Sequence, residues 1–302
     1  MPTLIVTSAL PGDGKSVVAA GLAAARRASG STLRLARAAG GDSAGADADQ
    51  FAQLQGVRSS GTPVDAVQLT PDTDFTVVEV DDPAAAVALR KAGDSLILVA
   101  RQGETDDVTL ARVIAETQAA GVVINAAPPE ELENIVQSAE LAAPLLGVLP
   151  QDRLLAAPSF AAMARAVDGT LAGPERLHDD AAEWLVIGPI SAHGGMPYFD
   201  KFPHAVVVTR HDRVDIALGA LNQRPAGLIL TGGEPTLPYV AERAESEDFA
   251  LIVTGLSTAD AVNRIGDLYA QGQFRGARKL QRAIDLVAAH LSLDILQASA
   301  TA

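Results

Sequence analysis

The stretch that most constrains this chain is residues 4–25, LIVTSALPGDGKSVVAAGLAAA. It reads as a short buried strand, a loop punctuated by Pro11, Gly12 and Gly14, and a helix opening at Lys15-Ser16. Gly14-Lys15-Ser16 ends a G-x-x-x-x-G-K-[ST] pattern, with Ala9 at the place of its first glycine. Such a loop turns consecutive backbone N–H groups into a nest for phosphate oxygens, at the positive end of a helix dipole. In that arrangement Pro11, Gly12, Asp13, Gly14, Lys15, Ser16 and Val17 surround a nucleotide's phosphates. The Lys15 ammonium reaches the β- and γ-phosphates, and the Ser16 hydroxyl sits on Mg²⁺. Only four lysines occur in the whole chain, and one stands in this loop. The stretch predicts a nucleotide-binding chain.

With 302 residues, 48% of them apolar, there is material for about two domains. The net charge of -14 argues against holding nucleic acid through the overall field. There is no cysteine, so neither disulfides nor thiolate chemistry enter. No apolar run approaches the length of a membrane span, and the N-terminus leads straight into the first strand. A cytoplasmic protein with no membrane partner is expected.

Further apolar strands are predicted at 33–36, 75–80, 95–100, 121–125 and 145–149, with helices between them at 108–120 and 130–142. Short strands without alternation, separated by amphipathic helices, predict an α/β fold: a mostly parallel sheet with helices on both faces. Ligands of such sheets bind at the carboxyl ends of the strands. Those ends nominate Arg101, Asn125 and the loop 150–153; Asn125 would either read a base edge or close a turn. Asp47 and Asp49, two acids one residue apart after a Gly/Ala-rich loop, either join a metal shell or begin a helix. Glu79 lies within a buried strand, where an acid is costly unless paired or metal-bound. Asp81-Asp82-Pro83 reads as a helix N-cap with proline in the first turn.

Together, ALPGDGKS, the acids Asp47 and Asp49, VVEV with Glu79, GVVIN with Asn125 and LLGVLPQDRLLAAPS give residues 1–175 a resemblance to one P-loop family. That family includes dethiobiotin synthetase and the N-terminal domain of long bacterial phosphate acetyltransferases. The resemblance implies bound ATP and Mg²⁺, with the metal shared by Ser16, Asp47 or Asp49, and Glu79, and with Lys15 and Glu79 as catalytic groups. Two positions differ from dethiobiotin synthetase: Arg37 replaces a substrate-binding lysine, and Val80 replaces the glycine after the glutamate.

A polar, Gly/Pro-broken stretch follows a helix near 160, and the domain boundary is expected there. A second, smaller α/β domain is expected over 182–290, with a tail at 291–302. Within it, HDRVD at 211–215 and ILTGG at 229–233 resemble the DRTGG domain, through Asp212, Arg213, Thr231, Gly232 and Gly233. Physically, Arg213 suits a carboxylate or phosphate, and Gly232-Gly233 can form an anion nest. Those residues therefore either hold a small anionic metabolite or form an internal Asp212–Arg213 network. The histidines, His193 and His211 among them, lack metal-ligand spacing and read as loop contacts.

Two readings of function stay open. One is a nucleotide-sensing regulatory protein of metabolism, with slow or no ATP hydrolysis. The other is an ATP-dependent ligase or kinase of the dethiobiotin synthetase type acting on a small carboxylate. Phosphate acetyltransfer by this chain alone is not expected, because no transferase domain follows residue 290. A homodimer or higher homo-oligomer is the expected assembly.

Overall fold

The structure is a computed structural model describing residues 3–28, 30, 32–65, 73–188, 201–233 and 238–292. They form two compact units. The first comprises the described residues up to Asp152 together with those from Leu280 on; the second runs from Arg153 to Lys279. The division thus falls ahead of the boundary expected near 175–182, and residues from 280 on return to the first unit instead of closing the second. The loop 191–197 with His193, the pair Glu234-Pro235 and residues 293–302 lie outside the described residues.

In the first unit the chain runs β1 (Thr3–Ser8), α1 (Lys15–Ala28), β2 (Leu33–Arg37), α2 (Ala44–Ala52), β3 (Phe75–Glu79) and α3 (Pro83–Leu89). It continues through β4 (Ser95–Arg101), α4 (Asp107–Thr117), β5 (Gly121–Ala127), α5 (Leu132–Ser138) and β6 (Leu145–Pro150). The strands pair in the order β2-β3-β1-β4-β5-β6, every neighbour parallel. Apolar side chains fill both faces of the central strands: Leu4, Ile5, Val6, Val77, Val78, Leu96, Ile97 and Leu98 are fully buried. Burial of both faces is why these strands show no polar alternation. The chain leaves β1 toward β2 on one side and leaves β4 toward β5 on the other, so the sheet's switch point lies at the carboxyl ends of β1 and β4.

The second unit begins with two short helices, α6 (Arg153–Ala156) and α7 (Phe160–Ala166), followed by β7 (Thr170–Ala172). Then come β8 (Trp184–Ile187), β9 (Ala205–Arg210), α8 (Val214–Leu221), β10 (Gly227–Thr231), α9 (Pro238–Ser246), β11 (Ala250–Val253) and α10 (Thr258–Gly266). Its sheet has the order β7-β11-β10-β9-β8, parallel except for the antiparallel edge strand β7. Side chains alternate between its two faces. Val207, Leu228 and Leu230 pack under α8 and α9, while Val206, Val208 and Ile229 pack against α7 and α10.

A last helix, α11 (Ala277–His290), follows α10. Its Lys279 is buried, with the ammonium donating to the carbonyls of Leu155 (2.9 Å), Ala157 (2.6 Å) and Gln273 (2.6 Å). Three acceptors are what a buried ammonium requires. From Leu280 on, α11 belongs to the first unit, where Ala283 and Val287 meet α1 so closely at Gly21 that a Cβ there would lie 2.4 Å from Val287. The chain then passes beside β6, where Ser292 N donates to Leu146 O (2.7 Å).

Candidate functional site

The parallel register sets the site. Arg37 of β2 stands level with Glu79 of β3, which stands level with Val6 of β1. An arginine, a glutamate and the start of the Gly/Pro loop therefore meet at the carboxyl ends of three adjacent strands. The loop is shaped by Gly14, whose φ of +94° favours glycine. A Cβ at this position would also lie 2.0 Å from Asn125 Nδ2.

Four loop N–H groups, those of Gly12, Gly14, Lys15 and Ser16, are committed to no acceptor among the described residues. The others differ. Pro11 has no N–H, Val17 N donates to Gly14 O (3.1 Å), and Asp13 N donates weakly to Leu10 O (3.4 Å). The buried Asp13 carboxylate accepts from Leu10 N (2.7 Å), and burial raises its pKa despite this bond. Asn125 Nδ2 donates to Asp13 O (2.7 Å), so this amide braces the loop from β5.

The side chains form one charged cluster. Ser16 Oγ donates to Glu79 Oε1 (2.9 Å), and Lys15 Nζ lies 3.9 Å from the same oxygen. Arg37 Nε approaches Glu79 Oε1 (3.6 Å) and Asp47 Oδ2 (3.4 Å), and Arg37 Nη1 donates to Ala38 O (2.9 Å). Asp47 is held by Ser43 Oγ (2.7 Å). Glu79 is fully buried, and its Oε2 has no hydrogen-bond partner among the described residues. Burial, and then the neighbouring Asp47 charge, push the Glu79 pKa up to about 7 against the pull of Arg37, Lys15 and Ser16. Burial alone would lower the pKa of Arg37, but Glu79, Asp81 and Asp47 outweigh it and raise it.

Two expectations are corrected by this cluster. Asp49 is exposed on α2, away from the other members, whereas Asp47 is buried. The reason is helical spacing: Asp47 shares a face with Ala44, Ala48 and Phe51, and Asp49 does not. Asp81 is not part of the cap of α3. Asp82 alone caps that helix, accepting from Ala84 N (3.3 Å) and Ala85 N (3.0 Å). Asp81 instead pairs with Lys15 through Oδ1 (2.9 Å) and with Arg37 through Oδ2 (2.5 Å). Burial pushes the Asp81 carboxyl up, but these two cations hold it below the usual range. Arg37 and Asp81 are therefore the members of the cluster that the motif pattern missed. A cation at the end of a strand buried on both faces was the available signal, because such a charge must be paired.

Could the cluster hold a divalent cation? Among the described residues no group of three or more His, Asp or Glu is gathered into a metal cage. The buried, unpartnered Glu79 Oε2 next to Ser16 fits one or two protein ligands, the number Mg²⁺ takes when phosphates and water supply the rest. Of the four residues Ser16, Asp47, Asp49 and Glu79, the fold brings Ser16, Asp47 and Glu79 into the cluster, with Asp47 and Glu79 both near Arg37, and leaves Asp49 exposed on α2.

In the second unit the two resembling elements do come together. His211 N donates to Thr231 O (2.9 Å), and the His211 ring Nδ1 lies 3.2 Å from the same carbonyl. The buried Thr231 hydroxyl bonds Thr209 O (3.3 Å) and Thr258 Oγ1 (2.7 Å). Gly232 N donates to Leu256 O (2.9 Å). Arg213 does not pair with its neighbour: it bonds Asp215 (2.9 Å), while Asp212 bonds Arg210. The Asp212–Arg213 network is corrected to two parallel i, i+2 pairs at the surface.

Residues 162–268 match the DRTGG domain family. Among solved structures, the chain resembles the MinC:MinD cell division protein complex of Aquifex aeolicus, with 17% identity and a TM-score of 0.39. That match covers 51% of this chain and 83% of that one. It also resembles the signal recognition particle receptor FtsY of Elizabethkingia anophelis, with 13% identity and a TM-score of 0.40, over 50% of this chain and 59% of that one. A third similar structure comprises the CBS and DRTGG domains of the regulatory region of Clostridium perfringens pyrophosphatase, complexed with its activator diadenosine tetraphosphate. There the identity is 12% and the TM-score 0.34, over 55% of this chain and 72% of that one. At such distances no residue role carries over. The fold is a six-stranded parallel α/β unit followed by a smaller five-stranded α/β unit. Most of that second unit is the segment matching the DRTGG domain.

Proposed function

We propose that the first unit binds ATP with Mg²⁺ at residues 11–16, and that the chain is a nucleotide-sensing regulatory protein with slow or no hydrolysis. The observation that carries this reading is the convergence of Lys15, Ser16 and Glu79 beneath four uncommitted loop N–H groups at the amino end of α1. Those N–H groups and the Lys15 ammonium would receive phosphate oxygens. Ser16 and Glu79 would hold the cation, which supplies charge neutralisation between the phosphates. Asn125 keeps the loop in register through the Asp13 carbonyl.

The ligase reading is the weaker of the two. Arg37, at the position of a substrate-binding lysine in dethiobiotin synthetase, is 1% exposed and committed to Asp47, Glu79 and Asp81. It therefore presents no free donor to a carboxylate substrate. In the second unit, the 211–213 and 231–233 loops are where a small anionic effector would act. The assembly proposed is a homo-oligomer, by the frequency of two-fold association. Among the described residues no helix is long and apolar enough to cross a membrane.

Isothermal titration of the full chain with MgATP, MgGTP and metal-free ATP, beside Lys15→Ala, tests the reading. Expected is Mg²⁺-dependent ATP binding that disappears in Lys15→Ala, and a stabilisation of about 2.7 kcal/mol at a hundred times the dissociation constant. A folded protein that binds no nucleotide would end it. ATP turnover stimulated by a small carboxylate would favour the ligase.

A further inference from the structure

The Asp81 carboxylate is a bridge between two cations, one oxygen on Lys15 and the other on Arg37. Four features distinguish it from an ordinary surface ion pair. Its neighbour Asp82 does the helix capping, so the position is not fixed by α3. The loop after β2 makes room for it: Gly41 has φ +72°, and a Cβ there would lie 2.1 Å from Asp81 Oδ2. Arg37 keeps Asp47 and Glu79 as partners whether or not Asp81 stays. Asp81 is also the most accessible of the charged members, with its side chain 30% exposed against 10% for Lys15, 9% for Asp47 and none for Arg37 and Glu79. It is the group that can return to water at least cost.

We propose that Asp81 is a built-in competitor for the phosphate-binding loop: it holds Lys15, and an anionic ligand must displace it to engage that ammonium. This rests on the nucleotide reading above. The ammonium has three N–H donors, but a carboxylate and a phosphate gathered on it repel each other, so a phosphate engages Lys15 fully only when Asp81 gives way. Binding then carries a fixed penalty, and it couples the loop at residues 11–16 to the loop at residues 38–41 through Arg37. Whatever draws Asp81 away from Lys15 raises the affinity for phosphate ligands, a dependence that must be reciprocal.

The test uses two isosterically modest variants and two readouts. Asp81→Asn removes the competing charge. Gly41→Ala keeps the carboxylate but places a methyl group where it sits. The first readout is amine labelling without nucleotide, followed by mass spectrometry. Lys91 serves as the exposed standard and Lys279 as the buried one. The second is titration with MgATP. Expected is slow Lys15 labelling in the parent chain, rising about tenfold or more in both variants, together with MgATP affinity at least about tenfold tighter in Asp81→Asn. Lys15 labelling as fast as Lys91 in the parent, labelling unchanged by both variants, or MgATP binding that weakens in Asp81→Asn would each overturn the proposal. Should labelling respond as expected while no folded form binds MgATP, the nucleotide reading fails and the Lys15–Asp81 pairing stands.

Discussion

Replacing Glu79 by glutamine keeps the shape of the side chain and removes its titration, which isolates the cost of a buried carboxylate. Glu79 is fully buried, with its pKa raised from 4.5 to about 7 by burial and by Asp47, against the opposing pull of Arg37 and Lys15. Below pH 4.5 the folded and unfolded chains both carry its proton. Between there and about pH 7 only the folded chain does, so the unfolded state binds fewer protons and stability falls as pH rises. Two to three pKa units at 1.36 kcal/mol each amount to about 3 kcal/mol lost across that window. Glu79→Gln does not titrate there. Its stability relative to the parent chain should therefore climb by about 3 kcal/mol between about pH 4.5 and pH 8, groups remote from Glu79 cancelling in the difference. Urea unfolding followed by far-ultraviolet circular dichroism measures this, supported by amide exchange in β1 and β3. Fluorescence of the single tryptophan is unsuitable, because Trp184 sits in the second unit. A difference that stays flat, or that slopes the other way, would mean that Arg37 and Lys15 hold Glu79 ionised throughout, and the burial argument would be wrong.

Three further outcomes are expected. Gly14→Ala should lower the melting temperature and abolish any nucleotide-induced shift, since φ is +94° and the methyl group would collide with Asn125; differential scanning fluorimetry with and without MgATP reads both. Lys279→Met removes the donor shared by the buried Ala157 carbonyl and the part-buried carbonyls of Leu155 and Gln273; at roughly 1–3 kcal/mol for a buried acceptor left without its donor, urea unfolding followed by Trp184 fluorescence should show the second unit losing about 2 kcal/mol or more. Asp82→Ala should cost about 1 kcal/mol of N-capping energy and leave MgATP affinity untouched; a changed affinity in titration would show that Asp82 competes for the loop alongside Asp81.

The parallel sheet and its loop were readable because the signal was local. Strand, loop and helix follow one another within the first 28 residues, and doubly buried strands show themselves as unbroken apolar runs. What the sequence hid was pairing across elements. Arg37 and Asp81 are 44 positions apart, and only the β2–β3 register, which sets Arg37 level with Glu79, brings them together. Asp47 was separable from Asp49 by helical periodicity, since residues 44, 47, 48 and 51 share a face, but that required knowing where α2 begins. The Asp212–Arg213 pair failed for a similar reason. The ion pairs formed instead between residues two positions apart, Arg210 with Asp212 and Arg213 with Asp215. The return of α11 to the first unit was also illegible: an amphipathic stripe shows that one face is buried, not against what.

That return bears on the order in which the chain is made. The second unit is continuous from Arg153 to Lys279, whereas the first needs both its opening residues and its closing ones. During synthesis α1 forms early, yet its face at Gly21 stays open until Val287 leaves the ribosome more than two hundred residues later. At about 5–20 residues per second this is a delay of about 10–50 s. The unit that begins first is thus finished last, and during that interval the face of α1 at Gly21 lacks the residues that cover it in the folded chain.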